Sequence, residues 1–392
     1  MRHRRPWMLT LVALAACHAA PSVGEVPGRS VDRVAVERIE ADPARVGPLI
    51  LAHGGQGSPA SRSDGPAAAV ELGFAQLEGG SDPGSSEQVA AEQAAVAAAI
   101  ATIEALEDDP RFNAGTGANL RLDGVSIEAD AAIMDDRARF GAVAGIAGIR
   151  HPIRVAEAVA DSPHLLLVGD GAQRFAATLD LEARDLATPE ARAKLERGYA
   201  RLFSEPAEGP WAQWDWRAHW NFETPAPASL EEAMALLRAA ELAAAEQPER
   251  AFEPDQTQDT VGVVVRTAQG RYAAALSTGG TTLAIHGRVG DVPVLGAGLY
   301  AGPEGAVAAT GKGEAIIRER VAARVYDLLA RGHMPKDAIN AAIREISPEE
   351  GVGVIAVSQL GWGAVATSQM AWAARDREGR HQADTFIQHG DR

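Results

Sequence analysis

A chain of 392 residues, 46% of them apolar, can bury a sizeable core as one large domain or two ordinary ones. Its net charge of −16 leaves no basic excess for gripping phosphates, which excludes nucleic acid as a partner and reads as a solvated acidic surface. A single cysteine, Cys17, excludes an intrachain disulfide.

In chain order, the first element is an export signal. Arg2, His3, Arg4 and Arg5 form a basic start, and Met8 to Ala16 an apolar stretch too short to span a bilayer. Leu14-Ala15-Ala16-Cys17 resembles a bacterial lipobox, whose cysteine is lipidated and becomes the mature N-terminus. An ordinary secretory signal with an incidental cysteine is the alternative. The residue after Cys17 is His18 rather than Asp, which is compatible with outer-membrane sorting. The expectation is an exported bacterial lipoprotein, periplasm-facing or on the outer membrane, with residues 18–40 as a polar, Pro-containing tether.

Val46 to Ala52 predicts a buried strand running into His53-Gly54-Gly55. Val89, Val96, Ile100, Ile103 and Leu106 recur at helical spacing over Gln88–Leu106. Glu107 to Asp136 reads as a loop-rich segment, and 141–149 as a Gly-punctuated strand. Pro152 suits the first turn of a helix reaching about Ala160, and His164 to Val168 is a short apolar run. The stretch 186–258 reads as an insertion. It holds Trp211, Trp214, Trp216 and Trp220, and a helix opened by Ser229 with Glu232 three residues on, a capping-box pattern. Its tryptophans suit packing onto the core, or a lid over a pocket. Val261–Arg266 and Tyr272–Ser277 flank Ala268-Gln269-Gly270 as a hairpin. A helix follows over Glu314–Ala330 with Gly332 as its cap, then a second hairpin, 354–357 and 364–368, around Gly361. Helices between strand pairs imply sheets covered by helices.

A Thr opening a strand, as in Asp259-Thr260-Val261-Gly262, is by itself unremarkable, because β-branched residues favour strands. Its company changes the reading. Downstream lie Ser277-Thr278-Gly279-Gly280, His286-Gly287-Arg288-Val289-Gly290-Asp291 and Ala309-Thr310-Gly311-Lys312-Gly313-Glu314. Upstream lie Leu106 to Gly117, containing Phe112-Asn113-Ala114-Gly115, then Asp130 to Asp135, and Asp161 to Leu167. In that order, these motifs resemble the plant-type asparaginase/isoaspartyl peptidase family of N-terminal nucleophile hydrolases, from about Ile50 to Trp372 and outside the Trp-rich insertion.

That resemblance implies a four-layer αββα sandwich made by self-cleavage between Asp259 and Thr260. An α chain, 41–259, and a β chain from Thr260 onward would pair as a dimer of heterodimers. Thr260 would be the nucleophile and its freed α-amine the base, with no cofactor. An α-amine titrates at about 7.7–8.0, close to working pH, so no His is needed. Thr278 would orient the nucleophile. Thr310 and Gly311 would form the oxyanion hole, and Asn113 would lie beside the site. Arg288 and Asp291, with Val289 and Gly290 between them, would hold the substrate's α-carboxylate and α-amine. Arg suits a carboxylate because its fork binds it bidentately. Gly311 and Gly313 let backbone approach the substrate. Lys312 stands where many members carry Thr or His, which makes the rim more cationic. Leu106, Glu107, Asp109, Phe112, Ala114 and Thr116 match the family's structural sodium loop. His53 and His286, each followed by Gly, read as structural residues in turns. The expected activity is release of L-aspartate from isoaspartyl dipeptides and L-asparagine through a Thr260 ester. Asp259 departs from the Gly usual in plant-type members and is typical of glycosylasparaginases, which keeps that activity open. So does a third reading, an unprocessed lipoprotein serving as a binding module.

Overall fold

A computed structural model of the protein describes residues 47–78, 87–204, 210–243 and 260–382. Cys17, the tether and Asp259 lie outside the described residues. In chain order the strands are β1 Leu49–Gln56, β2 Ala129–Asp135, β3 Phe140–Ile146, β4 Leu166–Val168, β5 Val261–Arg266, β6 Tyr272–Thr278, β7 Leu299–Gly302, β8 Gly305–Gly311, β9 Val352–Ser358, β10 Gly361–Ala366, β11 Met370–Asp376 and β12 Arg380–Gln382. The helices are α1 Asp64–Glu78, α2 Glu87–Glu107, α3 Pro152–Ala160, α4 Gly169–Ala176, α5 Pro189–Leu202, α6 Leu230–Ala243, α7 Gly313–Glu319, α8 Val321–Ala330 and α9 Pro335–Ile343.

One sheet has the order β12-β11-β1-β5-β6-β2-β3-β4, and the other β10-β9-β8-β7. Three apolar clusters define the layers. Val261, Val263 and Val265 of β5 pack toward α1, α2 and α3 with Val70, Phe74, Ile100, Ile103 and Ile153. Val264 faces the opposite way, into a core between the sheets with Leu51, Ile355 and Val357. Val307, Ala309 and Val354 pack outward against α8 and α9. The layers therefore run helix, sheet, sheet, helix: the expected αββα sandwich. Strands apolar on both faces are what such a sandwich requires.

Three expectations need correction. The segment 107–136 is not all loop, since residues 129–135 are β2, buried throughout. Ala131 and Ile133 face the helices while Ala132 and Met134 face the second sheet, so no apolar/polar alternation marks the strand. The helix expected over 314–330 is two helices, broken at Arg320 in the left-handed region with φ 51°. The N–H groups of Ala322 and Ala323 donate to the carbonyls of Ala297 and Gly296, bonds that a continuous helix would take for itself. His53 lies not in a turn but in β1, opposite Gly262 of β5. Gly332 does cap α8. Its N–H donates to Leu329 O and that of His333 to Leu328 O, the paired bonds of a Schellman motif, with Gly332 at φ 86°.

The Trp-rich stretch forms a cluster of its own. Trp216, Leu195, Tyr199 and Leu237 pack with Leu120, Leu122 and Leu283 of the main body. The expected packing role of the tryptophans holds for Trp216, which is buried, while Trp214 is exposed and stacks on His219. Thr188 caps α5 by accepting from Ala191 N, a helix that carried no sequence expectation. At α6, Ser229 Oγ accepts from Glu232 N, while Glu232 reaches back to Ala228 N, one residue before the capping-box position.

Candidate active site

The two-residue period of the strands decides which side chains meet. Along β5 and β6 the odd residues of one and the corresponding residues of the other turn toward the helices, and Thr260 and Thr278 fall on the face toward the second sheet. Val261 pairs with Ser277, so Thr260 stands beside Thr278 at the ends of two adjacent strands. The Thr260 hydroxyl donates to Thr278 Oγ1 at 3.1 Å, buried. Gly280 N also donates to Thr278 Oγ1, at 3.1 Å. Ser277 points the other way and donates to Glu107 on α2.

Thr310 and Gly311 end β8 on the second sheet, and Thr310 is fully buried. Gln56 N, at the end of β1, donates to Thr310 Oγ1 at 3.2 Å, which leaves the hydroxyl proton for another acceptor. Gly311 has φ 125°, and a Cβ there would lie 2.1 Å from Gly351 O, so only glycine fits. Thr260, Thr278, Gly280, Arg288, Asp291 and Gly311 line one small cleft. Val289 is half-buried beside it.

The electrostatics of this cleft are uneven. Asp291 is buried, its carboxyl pushed up to about 7 by loss of water, and its Oδ2 has no hydrogen-bond partner. The Arg288 charge opposes that shift, and Asp130 and Glu314 reinforce it. Arg288 itself pairs with Glu314, Nη2 at 2.9 Å and Nε at 3.1 Å from the same oxygen. Burial favours the neutral form of Glu314, yet the Arg288 charge, the residue's own N–H, the Arg288 hydrogen bond and the Lys312 charge together outweigh it and hold the carboxyl below its ordinary value. Gly313 is hemmed in, since a Cβ would lie 3.0 Å from both Arg288 Nη2 and Asp291 Oδ1. Lys312 stands at the rim, 3.4 Å from Glu350.

Asn113 lies behind this wall. Its Nδ2 donates to Gly280 O at 2.7 Å, and its Oδ1 accepts from Asn119 N at 2.7 Å. Asn119 Nδ2 donates to the same carbonyl at 2.7 Å. Asn119 and Gln56 were absent from the sequence expectations, because isolated polar residues carry no spacing signal, while Asp130 opened a recognised motif without a role of its own. Asp130 is buried beneath the cleft, pushed up to about 6 by burial against the lowering influence of Gly145 N–H and Arg121. His53 sits on the inter-sheet face close to Thr260. Burial keeps its imidazole neutral, with a pKa pushed down to about 3, against the raising influence of the Thr260 backbone. Gly262 makes this possible, because a Cβ there would lie 2.4 Å from His53 Nε2.

The loop after α2 folds tightly on itself. The carbonyls of Leu106, Glu107 and Asp109 accept from the N–H groups of Asp109, Thr116 and Phe112. Gly115 and Gly117, at φ 49° and 103°, allow this closure, which places Ala114 in the buried turn. Thr116 Oγ1 is buried with no hydrogen-bond partner. Among the described residues no three His, Cys, Asp or Glu side chains converge as metal ligands, so any cation here would rest on carbonyl oxygens.

A four-layer sandwich with paired threonines and an Arg/Asp pair in one cleft defines a class of amide-cleaving enzymes, and comparison with known sequences agrees. The sequence profile of the family described as asparaginase matches residues 46–386. The plant-type L-asparaginase of Pyrococcus furiosus is 33% identical over 323 residues, covering 80% of this chain and 90% of that protein. The isoaspartyl peptidase of Salmonella typhimurium is 36% identical over 265 residues, covering 66% and 73%. The N(4)-(β-N-acetylglucosaminyl)-L-asparaginase of Elizabethkingia miricola is 31% identical over 247 residues, covering 62% and 59%. This chain belongs to the asparaginase family and is an amidohydrolase.

Proposed function

We propose that the protein is a self-processing amidohydrolase that releases L-aspartate from isoaspartyl dipeptides and L-asparagine, with Thr260 as nucleophile. The hydroxyl pair Thr260–Thr278 at 3.1 Å, in one cleft with Arg288, Asp291 and Gly311, carries this reading. Processing comes first. Thr260 Oγ1 attacks the Asp259 carbonyl carbon, and the peptide bond breaks as its nitrogen becomes the α-amine. Water then hydrolyses the resulting ester, giving chains ending at Asp259 and beginning at Thr260.

In turnover, Arg288 holds the substrate's α-carboxylate and Asp291 its α-ammonium. Thr278 orients the Thr260 hydroxyl while the free α-amine takes its proton. Attack on the side-chain carbonyl builds negative charge on its oxygen, toward which the Thr310 hydroxyl and Gly311 N–H donate. Removal of one such donor typically costs about 10²–10³ in rate. The leaving amine takes the proton back, a β-aspartyl ester remains on Thr260, and water releases L-aspartate. Asn113 acts at one remove, holding Gly280 O and hence the turn whose N–H reaches Thr278.

A glycosylasparaginase is the second reading, favoured by Asp259-Thr260 and by the relative from Elizabethkingia miricola. Rates on L-asparagine, β-Asp-Leu and a glycosyl-asparagine analogue separate the two, and dominant turnover of the glycosyl compound overturns the first. Mass spectrometry of the purified protein tests cleavage at Asp259–Thr260 and a lipid on Cys17 together. A chain still uncut and inactive after long incubation leaves the binding module instead.

Three further features belong to this proposal. The loop 106–116 would hold a structural sodium ion through the carbonyl oxygens of Leu106, Glu107, Asp109, Phe112, Ala114 and Thr116, a reading supported by the orphaned Thr116 hydroxyl. The processed chains would pair as a dimer of αβ heterodimers. A lipid anchor on Cys17 would attach the exported protein to a bacterial membrane, facing the periplasm or on the outer membrane.

A further inference from the structure

The residues just before Arg288 are held from outside the cleft by two unrelated parts of the chain. Asn221, in the Trp-rich insertion, donates from Nδ2 to His286 O at 2.8 Å and accepts at Oδ1 from His286 N at 3.2 Å. One side-chain amide thus satisfies both backbone groups of His286, as a neighbouring strand would. The next residue of the insertion, Phe222, sets its ring edge against the His286 ring, with centroids 6.0 Å apart. From the main body, Glu128 accepts from Gly287 N at 2.9 Å and lies 3.2 Å from His286 Nδ1. The buried Arg121 guanidinium anchors Glu128 in turn, at 3.1 Å. Leu283 and Ile285 seat the same segment in the insertion's apolar cluster.

The turn needs this support. Gly287 has φ 80° and nothing within 4 Å of where its Cβ would be, so local packing does not fix it. Arg288 must present its fork at a set angle for bidentate binding, and one residue separates it from His286. Its only paired carboxylate among the described residues, Glu314, fixes the tip of the side chain rather than the backbone below it.

We propose that the insertion positions the substrate clamp: Asn221 holds His286 so that Arg288 meets the substrate's α-carboxylate. Asn221 is a positioning residue, without contact to the substrate. This rests on the functional reading above, in which cleavage at Asp259–Thr260 leaves Asn221 on the α chain and Arg288 on the β chain. The bracket then spans two chains, and the insertion is the α chain's hold on the β chain's clamp.

The test is calorimetric binding of L-aspartate to the processed protein, since L-asparagine, isoaspartyl dipeptides and glycosyl-asparagines all present the same α-carboxylate and α-ammonium. Asn221→Leu keeps the branched shape and the number of heavy atoms and removes both hydrogen-bonding groups. Its L-aspartate Kd rises roughly 3- to 10-fold, the range for two partly solvated hydrogen bonds, and KM follows. The kcat, the extent of processing and the thermal midpoint stay as in the wild type, because Thr260, Thr278 and Thr310 lie outside the bracket. In an Arg288→Lys background, which already lacks the fork, Asn221→Leu adds less than about twofold, the non-additivity expected when one residue acts through another. Asn221→Ala, which removes the amide without adding bulk or charge, carries the test if the Leu variant does not fold. An unchanged Kd, effects that multiply with those of Arg288→Lys, or a fall in kcat and midpoint at unchanged KM each overturns the inference while leaving the functional reading intact. Wild-type protein that does not bind L-aspartate overturns both, because no clamp then exists to be positioned.

Discussion

Replacement of Asp291 by Asn separates the needs of the site from those of the fold. The Asp291 carboxyl is buried, has an unpartnered Oδ2, and titrates at about 7 instead of 3.8. A tenfold change in proton affinity corresponds to about 1.4 kcal/mol, so the ionised group destabilises the folded protein by up to about 4 kcal/mol at pH 8. The sign follows from proton uptake. Between pH 4 and 7 the folded state holds a proton that the unfolded state has lost, so this cost is absent below pH 4, grows through that window and is complete above pH 7. Asn keeps an acceptor and carries no charge. Asp291→Asn therefore raises the thermal midpoint at pH 8 by several degrees over wild type, and the gain shrinks steadily as pH falls toward 4. Catalysis moves the other way, because the substrate's α-ammonium loses its carboxylate. The kcat/KM falls by roughly 10²-fold, in line with loss of one buried charged partner. In the wild type, kcat/KM falls with pH through two groups, the Thr260 α-amine at about 7.7–8.0 and then Asp291 at about 7; the variant keeps the first limb and lacks the second. Scanning calorimetry from pH 4 to 8, paired with kinetics on L-asparagine, checks both halves. A variant less stable than wild type at pH 8, or equally shifted at every pH, refutes the argument that burial of an unpaired charge sets this pKa.

Three further outcomes follow from the geometry. Thr278→Val removes the acceptor of the Thr260 hydroxyl at nearly constant volume, and kcat falls by roughly 10- to 100-fold with KM little changed, read by steady-state kinetics. Gly262→Ala places a methyl 2.4 Å from His53 Nε2 between two paired strands, so the midpoint falls by an amount equivalent to about 1–3 kcal/mol and processing slows on a time-course gel. Burial holds the Glu107 carboxyl well above its ordinary value, so Glu107→Gln, which keeps the acceptor for Ser277 and Ile153, leaves the midpoint at pH 5 unchanged. Glu107→Leu strands both donors and costs about 1–3 kcal/mol by denaturant unfolding.

The chemistry of the site was legible in the sequence because its residues travel in short motifs. Thr260, Thr278, Arg288, Asp291 and Thr310 each sit at the end of a strand or in a Gly-punctuated turn, where local pattern is strong. Strand and helix types were legible for the same reason in 261–277 and over α2 and α3. Where local pattern carried no information, the sequence misled. β2 is apolar on both faces and bounded by Asp130 and Asp135, so it read as loop. The apolar spacing runs unbroken through Arg320, so the break between α7 and α8 was invisible; the carbonyls of Gly296 and Ala297, far back along the chain, create it.

By itself, then, the sequence determined which side chains are available for chemistry and which faces of each strand are apolar. Tertiary structure alone decided which of those side chains meet. It set Gly311 from the second sheet in one cleft with Thr260, gave Arg288 a standing partner in Glu314, and left Asp291 Oδ2 buried without one. It also brought Asn221, from a segment with no motif, against the turn that carries the clamp. The physical reason is range: propensity and periodicity act over a few residues, whereas desolvation and hydrogen-bond partnership depend on whatever the packed layers place nearby, however distant along the chain.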